Sequence, residues 1–176
     1  MPVSGLPIQL LRTYDSRDRE KGDFGAGWTL ALRNIRVEKS GVIGKHWFHT
    51  SADLGFFTQF CLVASRSAVV TVTLPGGKVY RFKAKSDPEC QLLEPITLPD
   101  IVWESESYPD AKLVAAGGSS VFAPGPAPGP TELLTASFET WDPRQFTFTT
   151  EDGTEYDLDQ DKGVRKRTDR NDNTLI

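Results

Sequence analysis

Two stretches of the sequence alternate apolar and polar residues on both sides of a glycine-containing turn, and this pattern restricts the fold more than any other feature. In residues 70–83, VTVTL precedes Pro-Gly-Gly and KVYRFK resumes the alternation. Residues 145–158, QFTFTTEDGTEYDL, repeat the arrangement around Asp152 and Gly153. A period of two places alternate side chains on one face of a strand, and Asp-Gly favours the positive φ angles of a tight hairpin. The sequence therefore predicts two antiparallel β-hairpins.

Further strands are predicted at 28–38, 55–64, 95–105 and 111–116, with a single helical turn as the alternative over 109–116. In the first of these the apolar residues change parity, which predicts a β-bulge near Asn34 or the end of a strand. No segment longer than about ten residues combines a 3.6-residue apolar stripe with helix caps. We therefore predict an all-β, mainly antiparallel fold with little helix, in which tandem β-hairpins form a curved sheet or partial shell.

The Pro-rich stretch GGSSVFAPGPAPGPTE, residues 117–132, divides the chain. Proline has no N–H to donate to a sheet ladder, so this stretch is predicted to be an extended or mobile surface loop or linker. A recognition motif for an aromatic groove is the alternative. The predicted organisation is a β-rich region 1–116, the linker 117–132, and a hairpin unit 133–176 that packs on the same sheet. The polar end of that unit is expected to be a strand-turn segment that frays in a lone domain.

Charge and composition exclude several classes of function. The net charge of −4 favours neither nucleic acid nor an anionic membrane surface, which both require a basic face. No apolar run approaches the roughly 20 residues of a membrane span, and the first residues lack the features of a signal peptide. The two cysteines, Cys61 and Cys90, are too few for a disulfide framework. Two buried or half-buried thiols are the favoured interpretation, and one bridge is the alternative.

The glycine-rich and histidine-containing motifs do not match known sites. Gly22, Gly25 and Gly27 have the wrong order for a dinucleotide loop and no following Lys-Ser or Lys-Thr for a phosphate loop. They are interpreted as positive-φ turn residues that precede a buried Trp28. His46 and His49, three apart on a strand, would point to opposite faces and could not share a metal. No local signature supports nucleophilic catalysis by Cys61 with either histidine.

The charged and aromatic clusters also have ordinary explanations. The alternating Asp157, Asp159 and Asp161 could hold calcium, but a solvated, edge-protecting acidic face is the favoured interpretation. Glu104 and Glu106 lie beside aromatic residues. This combination occurs in sugar-processing sites, but it is also found on ordinary sheet surfaces. The basic residues Arg165, Lys166, Arg167 and Arg170 alternate with aspartates. We predict no catalytic residue, cofactor or metal. Exposed aromatic platforms at Trp47, Trp103 and Trp141 would instead indicate a self-contained carbohydrate- or protein-binding β-domain.

Two motifs together resemble the Rhs (rearrangement hotspot) or YD-repeat family. PIQLLRTYDS followed by GDFGAGWTL resembles the segment that opens the family's repeat shell, and residues 145–175 resemble its hairpin unit that ends in Asp-Arg-Asn-Gly-Asn. Asp172 stands where the family has Gly. The matching positions are Arg12, Tyr14, Ser16, Gly22, Gly25, Gly27, Trp28, Asp152, Gly153, Tyr156, Gly163, Asp169, Arg170, Asn171 and Asn173.

The resemblance implies a structural rather than an enzymatic role. It implies that residues 1–116 open the β-shell, and that the shell helps to encapsulate or deliver a polymorphic toxin or forms a cell-surface scaffold. The implied partners are further repeats of a longer polypeptide or a toxin domain, with self-association through exposed sheet edges. The implied location is secreted, or exported by a specialised secretion system after a cytoplasmic stage.

Overall fold

The computed structural model describes residues 12–14, 16–17, 19, 21–22, 25–30, 35–75 and 77–175. The described residues form antiparallel β-strands and no helix, so the predicted all-β, antiparallel fold class is confirmed. The strands are β1 (Arg12–Tyr14), β2 (Lys21–Gly22), β3 (Gly25–Ala26), β4 (Trp28–Leu30), β5 (Arg36–Lys39), β6 (Trp47–Asp53), β7 (Thr58–Ala64), β8 (Val69–Thr73), β9 (Val79–Asp87), β10 (Cys90–Leu92), β11 (Asp100–Ser105), β12 (Lys112–Ala115), β13 (Gly129–Thr131), β14 (Gln145–Thr149), β15 (Glu155–Asp159), β16 (Gly163–Thr168) and β17 (Thr174–Leu175).

Three larger sheets and two short strand pairs contain all of these strands. Sheet I has the order β10-β7-β6-β13, sheet II the order β11-β9-β8-β5, and sheet III the order β12-β14-β15-β16-β17. The pairs are β1 with β4 and β2 with β3. Within the described part of the chain no helix is long and apolar enough to cross a membrane.

Both predicted hairpins are confirmed. β8 pairs with β9, with Val70 opposite Phe82, and β14 pairs with β15, with Phe146 opposite Leu158. All four of these side chains are buried, as the alternation requires. Gly153 has a φ of +83° in the second turn, a conformation that glycine adopts without a steric cost.

The other predicted strands are shifted or divided. Residues 111–116 contain β12, so the helical alternative is wrong. Residues 55–57 form the turn before β7, and β11 begins only at Asp100. The segment 28–38 contains β4 and β5, but the predicted bulge at Asn34 lies outside the described residues. The end of the chain, expected to fray, contributes β16 and β17 to sheet III.

Aromatic rings join sheets II and III in one core. The Phe148 ring lies 4.8 Å from that of Tyr80 and 5.9 Å from that of Phe82. Trp47 and Trp141 are also buried, so neither is the exposed platform that the alternative of a self-contained binding domain would need. Trp103 is half-buried and packs against the same core. Large aromatic side chains supply most apolar area when they face inward, which explains their use here.

The end of the Pro-rich stretch belongs to sheet I. Residues 129–131 form β13, which pairs with β6 so that Gly129 lies opposite His49 and Thr131 opposite Trp47. The prediction that proline keeps this stretch out of a sheet ladder is therefore wrong for residues 129–131. The physical reason is that β13 is an edge strand, where proline is tolerated because one side of the strand needs no N–H donor. β12, before this stretch, pairs with β14, after it.

A disulfide joins Cys61 on β7 to Cys90 on β10. The prediction of two free thiols is therefore wrong. The two cysteines lie directly opposite each other in the β7–β10 ladder, and such pairs bring their Cβ atoms close enough for a bond.

A close backbone approach fixes the segment 133–141 against the start of sheet I. A Cβ atom at Gly44 would lie 2.5 Å from the carbonyl oxygen of Trp141 and 2.8 Å from that of Leu133. Leu133 donates its N–H to the Gly44 carbonyl at 2.8 Å. Glycine at position 44 therefore permits a contact that any side chain would block.

Candidate functional site: the aspartate-capped turns of sheet III

The strands β14, β15, β16 and β17 are joined in chain order by three short turns, and an aspartate closes each of them. In the first turn, between β14 and β15, the Asp152 carboxylate accepts hydrogen bonds from the Thr154 N–H at 3.1 Å and from the Thr150 hydroxyl. Gly153 supplies the left-handed residue. Short aspartate side chains stabilise turns in this way because they bond backbone N–H groups two residues ahead.

The second turn, between β15 and β16, uses Asp159. Its Oδ1 accepts the N–H groups of Asp161 at 3.0 Å and Lys162 at 3.1 Å, and its Oδ2 accepts the Gln145 side-chain amide at 2.9 Å. Gly163 follows with a φ of +76°. Asp159 is buried, so the prediction of a solvated acidic face is wrong at this position. The carboxylate is buried because these three donors replace its water.

The third turn, between β16 and β17, uses Asp169. Its Oδ1 accepts the N–H groups of Asn171 at 2.8 Å and Asn173 at 2.9 Å, and its Oδ2 accepts the Asn173 side-chain amide at 2.8 Å. Asp172 occupies the left-handed position with a φ of +63°. The three turns thus combine an aspartate acceptor with a left-handed residue.

Tyr156 lies between these turns, on β15. Its ring is stacked on that of Phe148, with centroids 5.9 Å apart, and the Arg167 guanidinium lies 5.6 Å from its centroid. Burial raises the pKa of the Tyr156 hydroxyl. Its contacts are those of a half-buried packing residue that holds β15 against the core.

The turn hydrogen bonds lower the pKa of all three aspartates. The largest contribution comes from the Thr150 hydroxyl for Asp152, from the Gln145 amide for Asp159 and from the Asn173 amide for Asp169. Donors that stabilise the ionised form of a carboxylate always shift its pKa in this direction.

Stability should therefore fall in acid. Because the folded pKa values lie below the unfolded value of about 3.9, the stabilisation is complete above that pH and is lost as the pH falls through the folded values. We expect the urea midpoint of the chain to be lower at about pH 3 than at about pH 6. Asp159→Asn should narrow this difference. If the urea midpoints of the Asp159→Asn variant and of the unaltered chain differed by the same amount at both pH values, this explanation would be contradicted.

The left-handed positions give a second prediction, in which substitutions at two turns change the free energy of unfolding in opposite directions. Gly153→Ala should lower the free energy of unfolding by about 1–2 kcal/mol, since an L-residue is strained at this φ, whereas Asp172→Gly should raise it. Gly41→Ala is the control, because position 41 is exposed and an added Cβ meets no atom within 4 Å. Urea unfolding measures all three. Destabilisation by Asp172→Gly would show that the aspartate contributes more than its backbone strain costs.

The first motif forms two short strand pairs. Arg12 and Tyr14 lie on β1, and Tyr14 pairs with Trp28 on β4. Gly22 pairs with Gly25. Gly25, on β3, and Gly27, in a turn, have φ values of +109° and +75°, which confirms the positive φ predicted for them. Ser16 lies in a turn, and the burial of the Trp28 side chain lies outside what the structure describes.

Other candidate residues are distributed over separate surfaces. Glu104 pairs with Lys85 at 2.9 Å, and Glu106 pairs with Arg81 at 3.1 Å, so their carboxylates are engaged on the face of sheet II. His46 is exposed and precedes β6, whereas His49 is buried with its Nε2 3.2 Å from the Ala123 carbonyl oxygen.

The proposed calcium ligands also have protein partners. Asp157 accepts from the Thr147 hydroxyl at 3.1 Å, and Asp161 pairs with Arg144 at 2.9 Å. No cluster of acidic, histidine or cysteine side chains suited to a metal occurs among the described residues.

Sequence reasoning missed a polar cluster that joins the two predicted hairpins. The Glu151 carboxylate, at the β14–β15 turn, pairs with the Lys78 ammonium group and accepts the Tyr80 hydroxyl at 2.7 Å. The Lys78 ammonium also lies 4.4 Å from the Tyr108 ring centroid. Lys78 lowers the pKa of Glu151, Glu151 raises that of Lys78, and burial raises that of Tyr80. The only indication of this cluster in the sequence was that Lys78 and Glu151, beside the two hairpin turns, carry opposite charges.

A wide groove of about 610 Å³ runs alongside the Pro-rich stretch. Phe48, Pro124, Pro130 and Leu134 supply its apolar walls, and Glu132 also lines it. Trp47 also lines it but is buried, so the indole presents little surface for stacking.

Comparison of the chain with family models, curated proteins and solved structures finds no match.

Proposed function

We propose that the chain is a structural β-sheet segment of an Rhs or YD-repeat protein and has no catalytic role. The observation that carries this proposal is the run β14-β15-β16-β17, in which strands are added in chain order through aspartate-capped turns. A sheet built in this way grows by repetition of one unit, because each new hairpin needs only the preceding strand as its partner.

The edge of β17 supports the same proposal. Among the described strands only β16 pairs with β17. The Asp169 N–H donates to the Asn173 carbonyl at 3.0 Å. Because backbone groups alternate in direction along an antiparallel ladder, the N–H and C=O of Thr174 point away from β16. These groups can receive a further strand.

The wider role follows the family resemblance. We propose that the sheets form part of a shell that encloses or delivers a toxin, or part of a surface scaffold, and that the protein is exported. The Cys61–Cys90 disulfide supports export, since disulfides persist in oxidising compartments and are rare in the reducing cytosol.

The β17 edge provides the test. If it receives strands, the isolated chain should self-associate at high concentration through β17, and Thr174→Pro should weaken this association because it removes the outward N–H but no ladder bond. Thr174→Val, which keeps the N–H, is the matched control. Sedimentation measures the association, and hydrogen exchange of the Thr174 amide locates it. A concentration-independent monomer, or equal association of both variants, would overturn the proposal.

A second candidate function is a self-contained protein-binding β-domain. The observation that favours it is a group of exposed apolar side chains at one end of sheet I, far along the chain from the β17 edge.

A further inference from the structure

Five large apolar side chains are exposed at the end of sheet I where β6 turns into β7. Phe56 is 98% exposed and Leu93 71% exposed. The Leu54 N–H donates to the Phe57 carbonyl at 2.9 Å, and the Leu93 N–H donates to the Thr58 carbonyl at 3.0 Å, so the tip of the hairpin and the end of β10 are adjacent. We call this surface the apolar tip, and its members are Leu54, Phe56, Phe57, Leu92 and Leu93. Grouped apolar side chains of this kind mark interaction sites on soluble proteins.

The charged residues that adjoin the apolar tip in the chain are both acidic. Asp53 directly precedes Leu54, Glu94 directly follows Leu93, and both are exposed. Residues 47–65 and 86–99 contain no lysine or arginine, and the nearby Lys85 lies beside Glu89, further along β9 and β10. The Asp53 and Glu94 carboxylates would repel an anionic membrane, and two copies of the tip would repel each other. A basic partner is favoured, because complementary charge accelerates encounter and stabilises the complex.

The adjoining edge of β10 has backbone groups that point outward. The Leu62 N–H donates to the Glu89 carbonyl at 3.0 Å, and Leu93 also bonds to β7. The alternation of the ladder therefore turns the N–H and C=O groups of Cys90 and Leu92 away from β7. Among the strands that the structure describes, only β7 pairs with β10. The Cys61–Cys90 disulfide holds this three-residue strand in place.

We propose that the apolar tip and the free edge of β10 form a docking site for an extended segment of a basic protein. The segment adds to β10 as an antiparallel or parallel strand, its apolar side chains cover Phe56, Phe57 and Leu93, and its flanking lysines or arginines face the carboxylates of Asp53 and Glu94. Strand addition of this kind takes affinity from backbone hydrogen bonds and specificity from the alternate side chains. This site is separate from the β17 edge and does not depend on the shell proposal.

The test uses the full chain, isotopically labelled, and two synthetic peptides. Both have an alternating Val-Thr centre, one flanked by lysines and the other by glutamates. The Lys-flanked peptide should shift the amide resonances of residues 54–58 and 90–93 and bind about tenfold or more tightly than the Glu-flanked peptide. Its affinity should fall in about 0.5 M salt, because the charges are exposed.

Variants identify the contributing groups. Phe56→Ser should weaken binding about tenfold, whereas Phe138→Ser, at a 73% exposed aromatic residue outside the tip, should not. Leu92→Pro should weaken it more than Leu92→Val, because only the former removes the outward N–H. Preserved resonance dispersion shows that each variant folds.

Four results would overturn the proposal. They are equal binding of both peptides, shifts located elsewhere on the chain, preferential binding of phosphatidylglycerol vesicles to the tip, and a dimer formed through the tip without peptide. Loss of the β17-mediated association would leave this site unaffected, so failure of one proposal is distinguishable from failure of the other.

Discussion

Replacing Phe148 by alanine is expected to lower the free energy of unfolding by about 3–5 kcal/mol. The Phe148 side chain is fully buried, and its ring contacts Tyr80 and Phe82 from sheet II as well as Tyr156 from sheet III. Truncation would leave a cavity between the two sheets, since several rings would have to move together to fill it. Urea unfolding followed by tryptophan fluorescence and by far-ultraviolet circular dichroism measures the effect.

The same experiment tests whether residues 133–176 unfold with the rest of the chain. Because the Phe148 ring joins strands from both parts, we expect one cooperative transition with the same midpoint by both methods. Phe56→Ala is the control, because that ring is 98% exposed and its loss should change stability by less than about 0.5 kcal/mol. Two separated transitions in the Phe148→Ala chain would show that the two parts are independent domains.

The local hairpins could be predicted from the sequence because their determinants are local. Alternation fixes which side chains of β8, β9, β14 and β15 face inward, and the intervening turn fixes the pairing. The positive φ angles of Gly25, Gly27 and Gly153 were predictable for the same reason. Each of these features depends on fewer than about twenty consecutive residues.

The pairings between distant segments could not be predicted. β13 pairs with β6 although the six strands β7 to β12 lie between them in the chain, and Lys78 meets Glu151 although 73 positions separate them. The close approach at Gly44 also depends on the segment 133–141. Nothing in a single sequence identifies which edge a proline-containing strand joins, because an unpaired edge accepts many partners.

The candidate site was predicted in part. Asp152 and Gly153 were recognised as turn residues, and Gly163 and Asp169 only as positions of the family resemblance, whereas Asp159 was grouped with Asp157 and Asp161 as one face of a strand. The structure divides this series, because Asp159 turns inward to cap its own loop while Asp161 pairs with Arg144. The signal for the capped turn at Asp159 was Gly163, four residues further along the chain.

Removal of the disulfide, by Cys61→Ser combined with Cys90→Ser, is expected to lower the free energy of unfolding by about 3–4 kcal/mol. The two cysteines are 29 positions apart, and a bond across such a loop restricts the unfolded chain by about this amount. Calorimetric interpretations place part of the effect in the hydration of the unfolded state, but the expected sign is the same. Urea midpoints at one temperature measure it.

Reduction of the unaltered chain provides the matched experiment, since Cys90 is exposed and accessible to dithiothreitol. Reductant should shift the unaltered chain to the midpoint of the double variant and leave that variant unchanged. The local loss of stability should be largest at β10, because without the disulfide only three residues hold this edge strand to β7. Hydrogen exchange of the Gln91 amide measures this local loss. A midpoint insensitive to reductant would contradict a stabilising disulfide and would also remove its support for export.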